Sequence, residues 1–261
     1  MFLSLSERAS TLVKKFISVI IKYTETGYLT VRPSGRIEII GIDVFGINSM
    51  RLRINSGVQV MIDMGEHHQE QTDVINLLNI HKLIRSQMAH GKTIDMQLKN
   101  GLFIMHMNDH KVVMNDSRTG EDDLTIFDSL PRDDMDIFKI NTRILKEVIL
   151  NMSLGDGYFT VLSEQPGDHE QSDDAIITFR CRGSMVHMQY QVPCEVVRTS
   201  ASSHGSIQNI FMVKYVKQLC SFASCITDTY IGMKKNFPLV ISSNMKGGNL
   251  QICTSPITQP P

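Results

Sequence analysis

The chain has no tryptophan, no pair of cysteines spaced C-x-x-C, and no apolar run long enough to cross a bilayer. Its longest nearly apolar stretch, Phe16 to Ile21, is interrupted by Ser18 and followed by Lys22, whereas a spanning helix needs roughly 20 such residues. The opening MFLSLSERAS has no basic segment with an apolar one behind it, which points away from secretion. Cys181, Cys194, Cys220, Cys225 and Cys253 are an odd number of thiols, all in the second half. They read as reduced intracellular residues used as small apolar groups, not as a disulfide framework. Glycine-rich phosphate loops, zinc spacings and a serine nucleophile elbow are also missing, so no catalytic site and no cofactor is expected.

What is present suits a soluble globular protein. A chain of 261 residues, 42% hydrophobic and 20% charged, can bury one large core or two of about 130 residues each. Sixteen methionines imply an adaptable core with little aromatic anchoring.

Period-two alternation dominates. It recurs over Tyr28 to Arg32, Arg36 to Ile40, Arg51 to Ile54, Thr93 to Lys99, Leu102 to Met107, Ala175 to Arg182 and Met185 to Val192, as in strands that bury one face. Asn100-Gly101 joins two of these runs as a hairpin, and Arg182-Gly183-Ser184 is expected to do the same later.

Four windows instead show helical spacing: Ala9 to Lys22, Asn76 to His90, Thr142 to Ser153 and Phe211 to Ser224. Their expected buried sets are Leu12, Val13, Phe16, Ile17, Ile20 and Ile21; Leu77, Ile80, Leu83 and Ile84; Ile144, Leu145, Val148 and Ile149; and Val216, Leu219, Cys220 and Ala223. Lys214, Lys217, Gln218 and Ser221 are expected to face outward. The windows carry Lys14, Lys15, Lys22, Lys82, Arg85, Arg143, Lys146, Lys214 and Lys217 against Glu147 alone, and His81 lies among them. They therefore sum to +8 in a chain of net charge −1, which leaves −9 elsewhere. Segregation of this kind is the footprint expected for a polyanion, with an acidic remainder discouraging indiscriminate contact. A solvated helix face also carries lysine and arginine, and Arg143 with Glu147 has the i, i+4 spacing of a simple ion pair.

Asn115 to Asp136 is rich in acids and turn formers around Leu124, Ile126, Phe127 and Leu130, the composition of a linker. The expected organisation is a first domain over 1–116, a linker over 117–135 and a second domain over 136–261. Each half reads as strand, helix and three strands, twice over, an α+β duplication at the level of pattern.

Order and local motifs give this pattern a family. Gly35-Arg36-Ile37-Glu38-Ile39 followed by Ile42-Asp43 and Ile47 to Leu52, then Leu130-Pro131, then Phe237-Pro238-Leu239-Val240, Gly248-Asn249-Leu250 and Ser255-Pro256-Ile257, resemble successive segments of the eukaryotic and archaeal DNA sliding clamps typified by proliferating cell nuclear antigen. The resemblance spans the whole length. The chain departs from the family in being nearly neutral, in having Ile252-Cys253 where a Tyr-Tyr pair is usual, and in Gly46 where histidine is frequent.

The resemblance implies a clamp fold of two halves, each of two βαβββ units, with sheets outside and four helices on the inner face. It implies a non-enzymatic processivity factor, nuclear or at a viral replication site, that encircles duplex DNA and meets its phosphates through Lys14, Lys15, Lys22, His81, Lys82, Arg85, Arg143, Lys146, Lys214 and Lys217. A homotrimer would close through edge strands near His110 to Met114 and Met185 to Gln189. DNA polymerase and other partners would dock a short peptide against Ile42, Ile47, Ile126, Phe127, Leu130, Pro238, Cys253 and Pro256, and a clamp loader would open the ring. The alternatives within the fold are a subunit of a heterotrimeric checkpoint clamp and a monomeric viral processivity factor.

Outside the fold stand a regulatory protein that binds RNA or an acidic protein through the basic helices, and a metal-dependent nuclease built on Asp122, Asp123, Asp133 and Asp134. Glu66 with His67 and His68, and His106 with Asp109 and His110, lack the further ligand or the common direction that a metal site needs.

Overall fold

The computed structural model describes residues 2–43, 48–55, 60–63, 71–86, 93–99, 102–107, 110–115, 134–155, 157–164, 174–182, 187–200 and 206–257. The chain separates into two units, Met1–Asp128 with Gly247–Asn249, and Ser129–Lys246 with Leu250–Pro261.

In the first unit the order is β1 (Phe2–Leu5), α1 (Glu7–Ile20), β2 (Thr26–Val31), β3 (Ile37–Ile42), β4 (Asn48–Ile54), β5 (Val60–Asp63), β6 (Gln71–Asn76), α2 (Leu77–Ser86), β7 (Ile94–Lys99), β8 (Leu102–Met107) and β9 (His110–Asn115). The short β5, unexpected from the alternation, pairs antiparallel with β1. Five strands run β5-β1-β7-β8-β9, and four run β4-β3-β2-β6. Lys99 stands opposite Leu102, the register that a two-residue Asn100-Gly101 connection imposes.

Two glycines seat the helices. The register of Tyr28 with Ile40 puts Gly27 opposite Gly41 on the same sheet face. A β-carbon on Gly27 would lie 2.9 Å from the Leu77 side chain of α2, and one on Gly41 would collide with Ile20 of α1. Both helices therefore lie on that one face, where Phe16, Ile17, Ile20, Leu77 and Ile80 are buried, each such side chain contributing about 1.5–3 kcal/mol.

The second unit runs β10 (Asp136–Ile140), α3 (Thr142–Met152), β11 (Tyr158–Glu164), β12 (Asp174–Arg182), β13 (His187–Arg198), β14 (Ile207–Met212), α4 (Val213–Val216), α5 (Leu219–Phe222), a 3₁₀ turn at Ala223–Cys225, β15 (Ile226–Met233), β16 (Leu239–Met245) and β17 (Gly248–Thr254). Its strands are ordered β14-β11-β12-β13-β10-β15-β16-β17. Arg182 pairs with His187, so this hairpin has a longer connection than the turn expected at Arg182-Gly183-Ser184.

The fourth helical window departs most from expectation. Phe211 and Met212 complete β14, and the Val213 N–H still donates to the Gly157 carbonyl at 2.8 Å, so no helix begins before Val213. One turn later the Gln218 Nε2 donates to the Lys214 carbonyl at 2.9 Å, the acceptor that a continuing α-helix would reserve for the Gln218 backbone N–H. That N–H turns to the Tyr215 carbonyl at 3.4 Å, and Cys220 and Ser221 donate three residues back at 3.1 and 3.0 Å. The helix tightens and splits into two single turns. Gln218 is consequently buried and not outward-facing. In α3, Ile144 leaves its expected buried set and is 40% exposed, because Leu145, Val148, Ile149 and Met152 already fill the stripe against the sheet. Among the described residues no helix is long and apolar enough to cross a membrane.

Candidate nucleic-acid interface

The three longer helices, α1, α2 and α3, each start on a side-chain cap, whereas α4 and α5 have none. The Ser6 hydroxyl accepts the Ala9 N–H, the Asn76 side chain accepts the Asn79 N–H, and Asn141 accepts the N–H groups of Arg143 and Ile144.

In the first unit α1 and α2 touch one another and bury their apolar stripes on the same sheet face. Lys82 and Arg85 of α2 are exposed, His81 is half-buried, Lys14 and Lys15 of α1 are half-buried, and Lys22 is exposed just beyond α1. Burial of the Lys14 stem pushes its ammonium below the ordinary lysine range, and the nearby Glu7 carboxylate opposes that shift.

The second unit gathers a smaller cluster. Lys214 and Lys217 are exposed, and the Lys214 ammonium sits 4.7 Å from the centre of the Tyr215 ring. The Cys220 thiol faces the Lys146 carbonyl, and both the Lys146 and Lys217 ammoniums act on it, so the cations of α3 and of the α4–α5 segment meet around one residue. Burial raises the Cys220 pKa and those two charges lower it.

Of the three longer helices α3 is the least cationic. Arg143 points into solvent but lies 3.5 Å from the Glu147 carboxylate, and its neighbours on the open side are Ile144, Leu150 and, just past the helix, Leu154, which is 72% exposed. Beside its N-terminus an open cleft of about 820 Å³ is lined by Lys139, Arg143, Lys146, Glu195 and Asp228 among others. Lys139 is held 3.6 Å from Glu195 and 3.9 Å from Asp228, so the cleft is nearly balanced in charge and gives a polyanion little advantage.

Of the expected peptide-docking residues, Ile47, Ile126, Phe127 and Leu130 lie outside the described residues. Ile42 is half-buried at the end of β3 in the first unit. In the second, Pro238 and Pro256 are half-buried, whereas Cys253 is enclosed within β17 and offers a docking peptide no surface. Asp122, Asp123 and Asp133, with Glu66, His67, His68 and Asp109, also fall outside the described residues. Among those that are described, no three His, Cys, Asp or Glu side chains gather as a metal site.

Alternation did not single out one buried charge cluster. Glu38 of β3 lies 2.8 Å from Arg53 and 3.7 Å from Arg51 of β4, with Glu38 and Arg51 only 3% and 1% exposed. The signal available was an acid and two bases at neighbouring positions of strands expected to be half-buried.

No family model and no curated protein matches the sequence. Solved structures do. The crystal structure of PCNA from Thermococcus kodakaraensis superposes over 98% of this chain and 100% of its own, with a TM-score of 0.70 and 13% identity. The chain has the sliding-clamp fold. Proliferating cellular nuclear antigen from Entamoeba histolytica gives the same result, with a TM-score of 0.68 at 14% identity over 98% of both chains. The α+β clamp architecture is thus held by a sequence in which few side chains are shared with these structures.

Proposed function

We propose that this chain is a DNA sliding clamp, a non-enzymatic ring that encircles duplex DNA and tethers a polymerase and other replication or repair proteins. The observation that carries the proposal is the placement of bases on the clamp fold: Lys82 and Arg85 on α2 in the first unit, and Lys214 on α4 and Lys217 just past it in the second, stand exposed beside buried apolar helix sides. Exposed cations on elements of this fold suit sequence-independent attraction to phosphates, which releases counterions and reads no base edge. Weak contacts suffice, because a closed ring leaves DNA only by opening.

Ring closure by copies of the chain is supported by two open backbone edges. β9 ends the five-stranded sheet, and His187 to Pro193 of β13 pair with β12 on one side and, among the described residues, with no strand on the other. Such edges pair readily with another chain, and head-to-tail pairing closes a cyclic oligomer. Three copies, a loader that opens the ring, peptide-bearing partners and a nuclear or viral replication site complete the proposal. A heterotrimeric checkpoint clamp or a monomeric viral factor would use the same fold with different edges engaged.

The test neutralises Lys82, Arg85, Lys214 and Lys217 to glutamine together. The slope of log affinity against log salt should become shallower by about 0.9 for each phosphate that is no longer neutralised, with the fold intact by circular dichroism. An unchanged slope and affinity would remove the basic helices from the DNA interface.

A further inference from the structure

Two adjacent residues of β14 hold two separate segments of the second unit. The Asn209 side chain, in a residue 5% exposed, donates from Nδ2 to the Lys234 carbonyl at 2.8 Å, and its Oδ1 accepts the Asn236 N–H at 3.0 Å. Both ends of the amide are engaged by the turn between β15 and β16. Asn236 in that turn has φ +60°, a left-handed conformation that costs free energy unless its surroundings hold it. Next along β14, the Ile210 carbonyl accepts the Ile257 N–H at 2.8 Å and ties down the chain after β17.

Both held segments carry partly exposed apolar residues. The turn presents Phe237 and Pro238, and the tied chain presents Pro256, all half-buried. Lys234 fixes the ring, its ammonium lying 4.5 Å from the centre of Phe237 and 3.5 Å from the Asp134 carboxylate. Flat, half-buried ring and proline faces suit an aromatic side chain delivered by an extended peptide.

We propose that Asn209 is a positioning residue for peptide binding on the second unit, an inference that rests on the peptide-docking part of the proposed function. It sets the distance between Phe237-Pro238 and Pro256 without touching the peptide. A leucine there would fill the same space but leave the Lys234 carbonyl and the Asn236 N–H without the amide, and the turn would relax.

The probe is a fluorescein-labelled peptide selected by phage display on the full-length chain and released by Pro256→Glu. Asn209→Leu should weaken that peptide at least about tenfold, Asn209→Asp, which keeps the acceptor for Asn236, should weaken it less, and salt-dependent DNA retention should not move in either. Wild-type peptide affinity in Asn209→Leu, with Pro256→Glu still abolishing binding, would overturn the role of Asn209 and leave the docking site standing. Selected peptides that all ignore both substitutions would overturn both. Should Asn209→Leu fail to fold, Asn236→Ala serves: it disfavours the left-handed turn and leaves the amide in place, and full peptide affinity in it would contradict the proposal.

Discussion

The Cys220 thiol lies 3.9 Å from the Lys146 backbone carbonyl, which ties α5 to α3 and brings Lys146 and Lys217 around one titratable group. Burial holds this thiol above its ordinary range while the two ammoniums favour the thiolate. Removing either cation should therefore raise the pKa further. Iodoacetamide alkylation of Cys220 at pH 8 should slow in Lys146→Met and in Lys217→Met, with peptide mass after digestion as the readout. Equal rates in all three proteins would contradict the action of these cations on the thiol.

Glu38 is the carboxylate for two buried or half-buried arginines, so its loss should be felt far more than that of a surface pair. Glu38→Ala is expected to destabilise the first unit by about 3–5 kcal/mol in urea unfolding, because the Arg51 charge stays buried without the carboxylate it faces. Replacing both Glu38 and Arg51 by methionine should recover most of that loss. A double variant as unstable as the single one would contradict this account of the cluster.

Leu154 follows α3 and precedes Gly155, where a β-carbon would collide with the Cys181 sulfur. Cys181 pairs with Met188 at the start of β13, so the exposed leucine stands near the stretch of β13 that has an open edge. Leu154→Glu should convert an oligomer to monomer in sedimentation velocity without changing the far-ultraviolet spectrum. A mass equal to wild type would place the joint elsewhere.

Much of this was legible from patterning, and the failures have local causes. The spacing of Leu145, Val148 and Ile149 placed α3 to within a residue, and the Asn100-Gly101 hairpin set its own register, because each depends on neighbours in sequence. The fourth window failed because one side chain, Gln218, displaced its own backbone N–H from the Lys214 carbonyl, a competition that periodicity does not encode. Ile144 was misplaced because an apolar residue at the margin of a stripe is assigned by packing and not by spacing. The basic residues were visible at once, yet their surroundings were not: Arg143 faces Glu147, and Lys14 occupies a partly buried position. Asn209 carried no signal, since a single polar residue on the buried side of a strand looks like an exception until its two partners are seen.

The claim that the chain holds DNA by enclosure is tested most directly by topology. Wild-type protein loaded on nicked circular DNA should remain bound through a high-salt wash and be lost when a restriction enzyme opens the circle. Retention that is equal on circular and linear DNA, or absent from both, would contradict enclosure.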